Sequence, residues 1–150
     1  MEHGLIPRCI PDMILNSDFF AVRNSLLLID NPVLYPAWFL HAKKGNKTIR
    51  EIRNVAFAYW LKNKHVIEYL LPNLIITLVV KSNPEFEQEI PYMNSDYSEY
   101  LVKALADEYS EEKWNWIKKL TGIHELTYKL DAAVNRKDSF YQHIIAEKNK

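Results

Sequence analysis

The chain has 150 residues, 48% of them hydrophobic, 13% aromatic and 25% charged, with 19 basic and 19 acidic side chains. That apolar fraction at zero formal net charge excludes a disordered chain. Three glycines and seven prolines exclude collagen-like and low-complexity classes, and the balanced charge leaves no basic footprint for nucleic acid.

The single Cys9 excludes an intrachain disulfide framework and a multi-cysteine zinc site, and it suits a reducing compartment. No secretory signal is expected, because Met1 to Pro11 carries Glu2 and Arg8 and no continuous apolar run. Without an internal repeat or a Gly/Ser linker, residues 1–150 read as a single unit.

The opening, Met1 to Asp18, holds Pro7, Pro11 and Asn16-Ser17-Asp18 and reads as irregular chain with a turn. Phe19 to Arg23 and Leu26 to Ile29 are short apolar runs bounded by turn residues, which fits buried strands. Tyr35 to Lys43 reads as a short helix with Pro36 in its first turn, closed by Gly45-Asn46. Thr48, with Glu51 three residues on, has capping-box spacing. Ile49, Ile52, Ala56 and Trp60 then recur at helical spacing, so an amphipathic helix is expected from about Thr48 to Asn63.

Val66 to Val80 is the most apolar stretch. Its 15 residues include Glu68, Pro72 and Asn73 and fall short of the ~20 that a bilayer span needs. It reads as buried core with a helix break near Leu71, because proline disfavours helix in the residue before it. Ser82-Asn83-Pro84 opens an acidic turn, and Asp96 with Glu99 starts another helix. Ser110 precedes Glu111 and Glu112 at a helix N-terminus, with Trp114, Ile117 and Leu120 on one face and Gly122 as the stop. Leu126 to Tyr128 reads as extended, and Ser139 to Ala146 as a terminal helix.

Familiar chemical constellations are mostly missing: no glycine loop for phosphate, no HExxH, no nucleophile elbow and no Asp-x-Asp. His124 follows a helix end and lies near Lys129; a loop histidine so placed could ligate a metal or contact phosphate, or serve as a cap. His3, His41, His65 and His143 read as surface residues. Glu68 sits in an apolar run, where a carboxylate either finds a partner such as Lys64 or carries a raised pKa suited to catalysis. Trp38, Phe39, Tyr59, Trp60, Trp114 and Trp116 are either core residues or faces for sugar rings, and Lys43-Lys44 and Lys118-Lys119 are short basic pairs.

Five words occur in order: Phe19-Phe20-Ala21; Pro36-Ala37-Trp38-Phe39-Leu40-His41-Ala42-Lys43-Lys44-Gly45-Asn46; Tyr59-Trp60; Ile67-Glu68-Tyr69; and Ile123-His124-Glu125-Leu126-Thr127-Tyr128-Lys129. Together they resemble the capsular polysaccharide synthesis protein family from about Asn16 to Ile145. Those are bacterial sugar transferases related to the enzymes with an Asp-x-Asp sugar motif. The family tends to have Asp where Glu68 stands, and an aromatic and a His where Pro72 and Asn73 stand.

The resemblance implies a glycosyltransferase of GT-A type that takes a nucleotide-sugar donor and a glycan acceptor for surface polysaccharide. The parent fold would be α/β. This chain would be its C-terminal portion, mainly α with two or three short strands, the Asp-x-Asp half lying elsewhere. Mn²⁺ or Mg²⁺ is expected for the full-length enzyme, and no tightly bound cofactor for this chain. By carry-over, Glu68 would be catalytic, His124 would sit by the metal or diphosphate, and Lys129 would neutralise phosphate. Trp38, Asn16, Asp18 and Phe20 would shape the sugar pocket. The alternative is an inactive remnant or interaction module that needs a partner chain carrying the metal-binding half. The expected location is cytoplasmic, with peripheral attachment to the inner face of the plasma membrane allowed.

Overall fold

The computed structural model of the protein describes residues 5–7, 10–25, 30–127, 130 and 132–148. Expectations for His3, Cys9, the run at 26–29, Tyr128 and Lys129 lie outside these residues. The fold is mainly helical with a few three-residue strands. The chain gathers into two compact units, Asp12–Ser95 and Met1–Pro11 with Asp96–Lys150, each with its own core.

The central unit begins with α1 (Asp12–Leu15) and β2 (Phe19–Ala21), β1 being the strand Leu5–Pro7 of the other unit. β2 pairs antiparallel with β3 (Leu40–Ala42) in the register Phe19↔Ala42, Phe20↔His41, Ala21↔Leu40. The strand expected at Phe19 is therefore present, but the helix expected over 35–43 is replaced by turns leading into β3. The reason is tertiary. The Leu34 and Tyr35 amides both donate to Thr77 Oγ1, at 3.1 and 3.2 Å, and the Ala37 amide donates to Asn73 Oδ1 at 3.2 Å. Side chains of a later helix thus satisfy donors that an isolated segment would satisfy by coiling.

α2 (Lys47–Lys62) follows as expected, but its cap is Asn46 rather than Thr48. Asn46 Oδ1 accepts from the Ile49 amide at 3.0 Å, and Thr48 lies buried in the first turn. α3 (Leu71–Ser82) starts where Pro72 fits the first turn, so the break expected near Leu71 is present. Residues 66–70 are not core: Val66, Ile67, Tyr69 and Leu70 are all exposed in the loop between α2 and α3. α4 (Pro84–Glu89) is a short helix where an acidic turn was expected.

One face of α3 carries the core of this unit. Ile76 and Val80 pack with Phe19, Ala21 and Tyr35, while Leu71, Ile75 and Val79 pack with Phe86. Ile49, Ile52, Val55 and Ala56 of α2 cover the same clusters. Full burial of each such aliphatic side chain contributes ~1.5–3 kcal/mol. Glu87 closes the outer edge: its carboxylate accepts from the Tyr35 hydroxyl at 3.2 Å, and meets Arg23 at 3.4 Å and Lys81 at 2.9 Å. The Lys81 hydrogen bond holds the Glu87 carboxyl below its ordinary range. Burial pushes the Tyr35 hydroxyl up to about 12.

In the other unit, α5 (Ser95–Ala104), α6 (Glu111–Leu120) and α7 (Phe140–Lys148) surround Leu101, Leu105, Trp114, Ile117, Val134 and Phe140. Ser110 caps α6 as expected, accepting from the Lys113 amide at 3.2 Å. A 3₁₀ turn at Ala132–Asn135 precedes α7. β4 (Ile123–Glu125) pairs antiparallel with β1, Leu5 opposite Glu125 and Ile6 opposite His124. His124 therefore belongs to a strand and not to a loop, and the opening is not wholly irregular. Neither strand is visible locally, because each exists only by pairing with a segment far away in sequence.

Candidate functional site

A concavity of the central unit opens where β3 hands over to α2. Lys43-Lys44-Gly45-Asn46 makes the turn, and Gly45 takes a left-handed φ of +82°, which glycine adopts at little cost. The Lys43 amide donates to Asp18 O at 3.0 Å, and the Asn46 amide donates to Lys43 O at 3.1 Å. These bonds hold the turn against the end of α1 and the start of β2. The resulting cleft has a volume of about 440 Å³ and is lined by Asp18, Lys43, Lys44 and Lys47, with Glu85 and Glu89 from α4.

Its electrostatics are mixed. The Lys43 ammonium donates to Asp18 Oδ1 at 2.9 Å and to Asn16 O at 3.0 Å, so Asp18 and Lys43 largely cancel. Lys44 and Lys47 are exposed and have no ion-pair partner among the described residues. They stand at the N-terminus of a 16-residue helix, whose first amides and aligned dipoles favour an anion. Glu85 and Glu89 face the same space as hydrogen-bond acceptors. A ligand with a phosphate at one end and hydroxyls at the other matches this lining. A second, shallower cleft of about 480 Å³ shares Gly45 and Asn46 and runs along α2 past Ile49, Arg50, Ile52 and Arg53.

Asp18 lines the first cleft, and Asn16 holds the Lys43 ammonium through its backbone oxygen. Phe20 is fully buried in β2, its ring edge-on to Phe39 with centroids 6.0 Å apart. Trp38 is partly buried beside Phe39, at 5.9 Å, and its indole N–H is enclosed with no hydrogen-bond partner. The structure thus gathers Asn16, Asp18, Phe20 and Trp38 around the β2–β3 pair. Glu68 lies apart from them in sequence and burial, exposed in the α2–α3 loop, where Oε1 accepts from the Leu70 amide at 3.3 Å. Its partner is that amide, not Lys64. Lys44 stands out in the sequence only as half of a short basic pair, and Lys47, Glu85 and Glu89 do not stand out. The clue was available, since a basic Lys-Lys-Gly-Asn-Lys run immediately precedes an amphipathic helix.

His124 lies in the other unit and is 3% exposed within β4. Its neighbour Glu125 must point to the opposite face of the strand. Burial, with Glu99 as a second carboxylate nearby, pushes Glu125 up to about 7. A carboxyl poised near neutrality can exchange protons at physiological pH. Nothing in the local sequence marks it, because both causes are tertiary. Histidine next to glutamate on a strand does not converge on one ion. Among the described residues no three His, Cys, Asp or Glu side chains come together to hold a metal.

A sequence model of the family described as capsular polysaccharide synthesis protein matches residues 5–144, almost the whole chain. No curated protein and no solved structure matches it.

Proposed function

The chain belongs to the capsular polysaccharide synthesis protein family, and from that premise we propose that it is a glycosyltransferase component that holds a nucleotide-sugar donor in the cleft at the start of α2. The family places the chain in capsular polysaccharide synthesis. The observation that supports the finer reading is the mixed lining of this cleft: two cations without ion pairs at a helix N-terminus, facing two carboxylates.

In this reading Lys44, Lys47 and the first-turn amides of α2 that Asn46 does not cap receive the diphosphate. They stabilise it most when it leaves, because its negative charge is then greatest. Glu85 and Glu89 accept hydrogen bonds from sugar hydroxyls and orient the ring. The acceptor glycan occupies the neighbouring cleft along α2, close to the shared Gly45 and Asn46.

Titration of the chain with uridine diphosphate, followed by amide chemical shifts, tests the site. The expected result is weak saturable binding with shifts centred on residues 43–48, weakened about tenfold in Lys44→Glu/Lys47→Glu. Absence of saturable binding, or equal binding by the double variant, overturns this placement of the donor.

A further inference from the structure

α2 ends in a surface that the proposed donor cleft does not use. Phe57, Trp60 and Leu61 are exposed on its last turns, and Val66, Ile67 and Tyr69 are exposed in the loop that follows. Leu61 is 87% exposed and Ile67 76%, values unusual for large aliphatic side chains even on a surface. Scattered apolar residues need no explanation, but six within one helix end and its loop form a patch of the kind that marks an interaction site.

The loop is built to hold them out. The Tyr59 hydroxyl donates to His65 O at 2.6 Å and accepts from the Ile67 amide at 3.2 Å. Asn63 Nδ2 donates to Tyr59 O at 2.9 Å. Glu68 Oε1 accepts from Leu70 N, and the Leu71 amide donates to Glu68 O at 3.0 Å. The loop is therefore folded back against Tyr59, whose ring meets Trp60 edge-on at 5.2 Å. The hydrogen bonds bring Ile67 to the Tyr59-Trp60 end of the helix and leave its side chain in solvent.

The charge around the patch points to the occupant. Lys62 and Lys64 stand within this stretch against Glu68, in a chain whose formal net charge is zero, whereas Arg50 and Arg53 lie earlier on α2 along the second cleft. Neither lysine has an ion-pair partner among the described residues. The Glu68 carboxylate is turned into its own loop. Unpaired cations flanking exposed aliphatic, Trp and Tyr side chains complement a bilayer surface. The apolar tip enters the acyl boundary, the aromatic rings sit at headgroup depth, and the ammonium groups meet anionic headgroups. No described helix is long and apolar enough to cross a membrane.

We propose that the end of α2 and the loop after it form a docking surface for an anionic membrane, inserting Leu61, Val66 and Ile67 beneath headgroups bound by Lys62 and Lys64. The experiment is flotation of the full chain with phosphatidylcholine vesicles, with and without about one-third phosphatidylglycerol. The expected result is co-flotation only with the anionic vesicles, reduced by added salt. Ile67→Asp is expected to lower partitioning more than ~tenfold, and Lys62→Glu/Lys64→Glu to abolish the preference for phosphatidylglycerol. Tyr92→Ser, which removes an exposed ring elsewhere, serves as the control and should float like the parent. Circular dichroism establishes that each variant is folded. Failure of the parent chain to float with anionic vesicles overturns the proposal. So does unchanged flotation by folded Ile67→Asp. A parent chain that elutes as a dimer, becomes monomeric in Ile67→Asp and does not float shows that a second copy covers the patch, which also overturns it.

Discussion

Residues 66–70 and 71–80 adjoin in sequence, share an apolar character and meet opposite fates. Val66, Ile67, Tyr69 and Leu70 are exposed, whereas Leu71, Ile75, Ile76, Val79 and Val80 are buried. The boundary falls between Leu70 and Leu71, where α3 begins with Pro72 in its first turn. Beyond it, helical spacing turns one aliphatic face toward α2 and β2. Before it, the loop satisfies its backbone on Tyr59 and Glu68 and has no helical face to bury. Apolar composition thus sets what a segment gains from burial, while the backbone's hydrogen-bond partners decide whether it is buried.

The comparison breaks most sharply with matched truncations. Ile76→Ala should cost ~2–5 kcal/mol in urea unfolding, with loss of transfer energy and a cavity beside Phe19 and Val80. Ile67→Ala should change stability by no more than about 0.5 kcal/mol. Equal costs would mean that the loop is core after all.

Thr77→Val tests the backbone half of the argument. It preserves shape on α3 but strands the Leu34 and Tyr35 amides that Thr77 Oγ1 now receives. A loss of ~1–3 kcal/mol is expected by chemical denaturation. A near-neutral outcome would show that those amides find other partners. On the loop side, Tyr59→Phe removes one hydroxyl that bonds to both His65 O and the Ile67 amide. A smaller cost of ~0.5–1.5 kcal/mol is expected, with faster hydrogen exchange at Ile67.

Acid titration sharpens the picture further. Glu87 has a folded pKa below its ordinary 4.5, mainly through Lys81. Its contribution is present in full above pH ~4.5 and is lost as pH falls through the lower folded value. Glu87→Gln should flatten that acid limb in unfolding curves taken across it. Glu125 has the opposite sign. Its folded pKa is raised to about 7, so the native state holds the proton more tightly than the unfolded chain. That contribution is complete below pH ~4.5 and disappears as pH rises through about 7. Glu125→Gln should remove the decline, and a profile unaltered by the substitution would refute the assignment.

Sequence alone determined the elements whose signal is local. α2 shows in its apolar spacing, α6 in Ser110 with Glu111 and Glu112, and the start of α3 in Pro72. The ordered words from Phe19 to Lys129 also carried the family resemblance that residues 5–144 bear out. Asp18, which that resemblance implies would help shape the sugar pocket, lines the cleft at the start of α2. Only the tertiary structure decided the rest. β3 replaced a helix because Thr77 and Asn73 capture the amides before it. β4 placed His124 in a strand because Leu5–Pro7 pairs with it. Lys44 and Lys47 became a candidate anion site because the turn at Gly45 sets them at a helix end opposite α4. Propensity and capping act over a few residues and can be read along the chain. Strand pairing, cleft lining and the burial of a carboxyl depend on which distant segments supply hydrogen-bond partners and exclude water, and no local pattern encodes that.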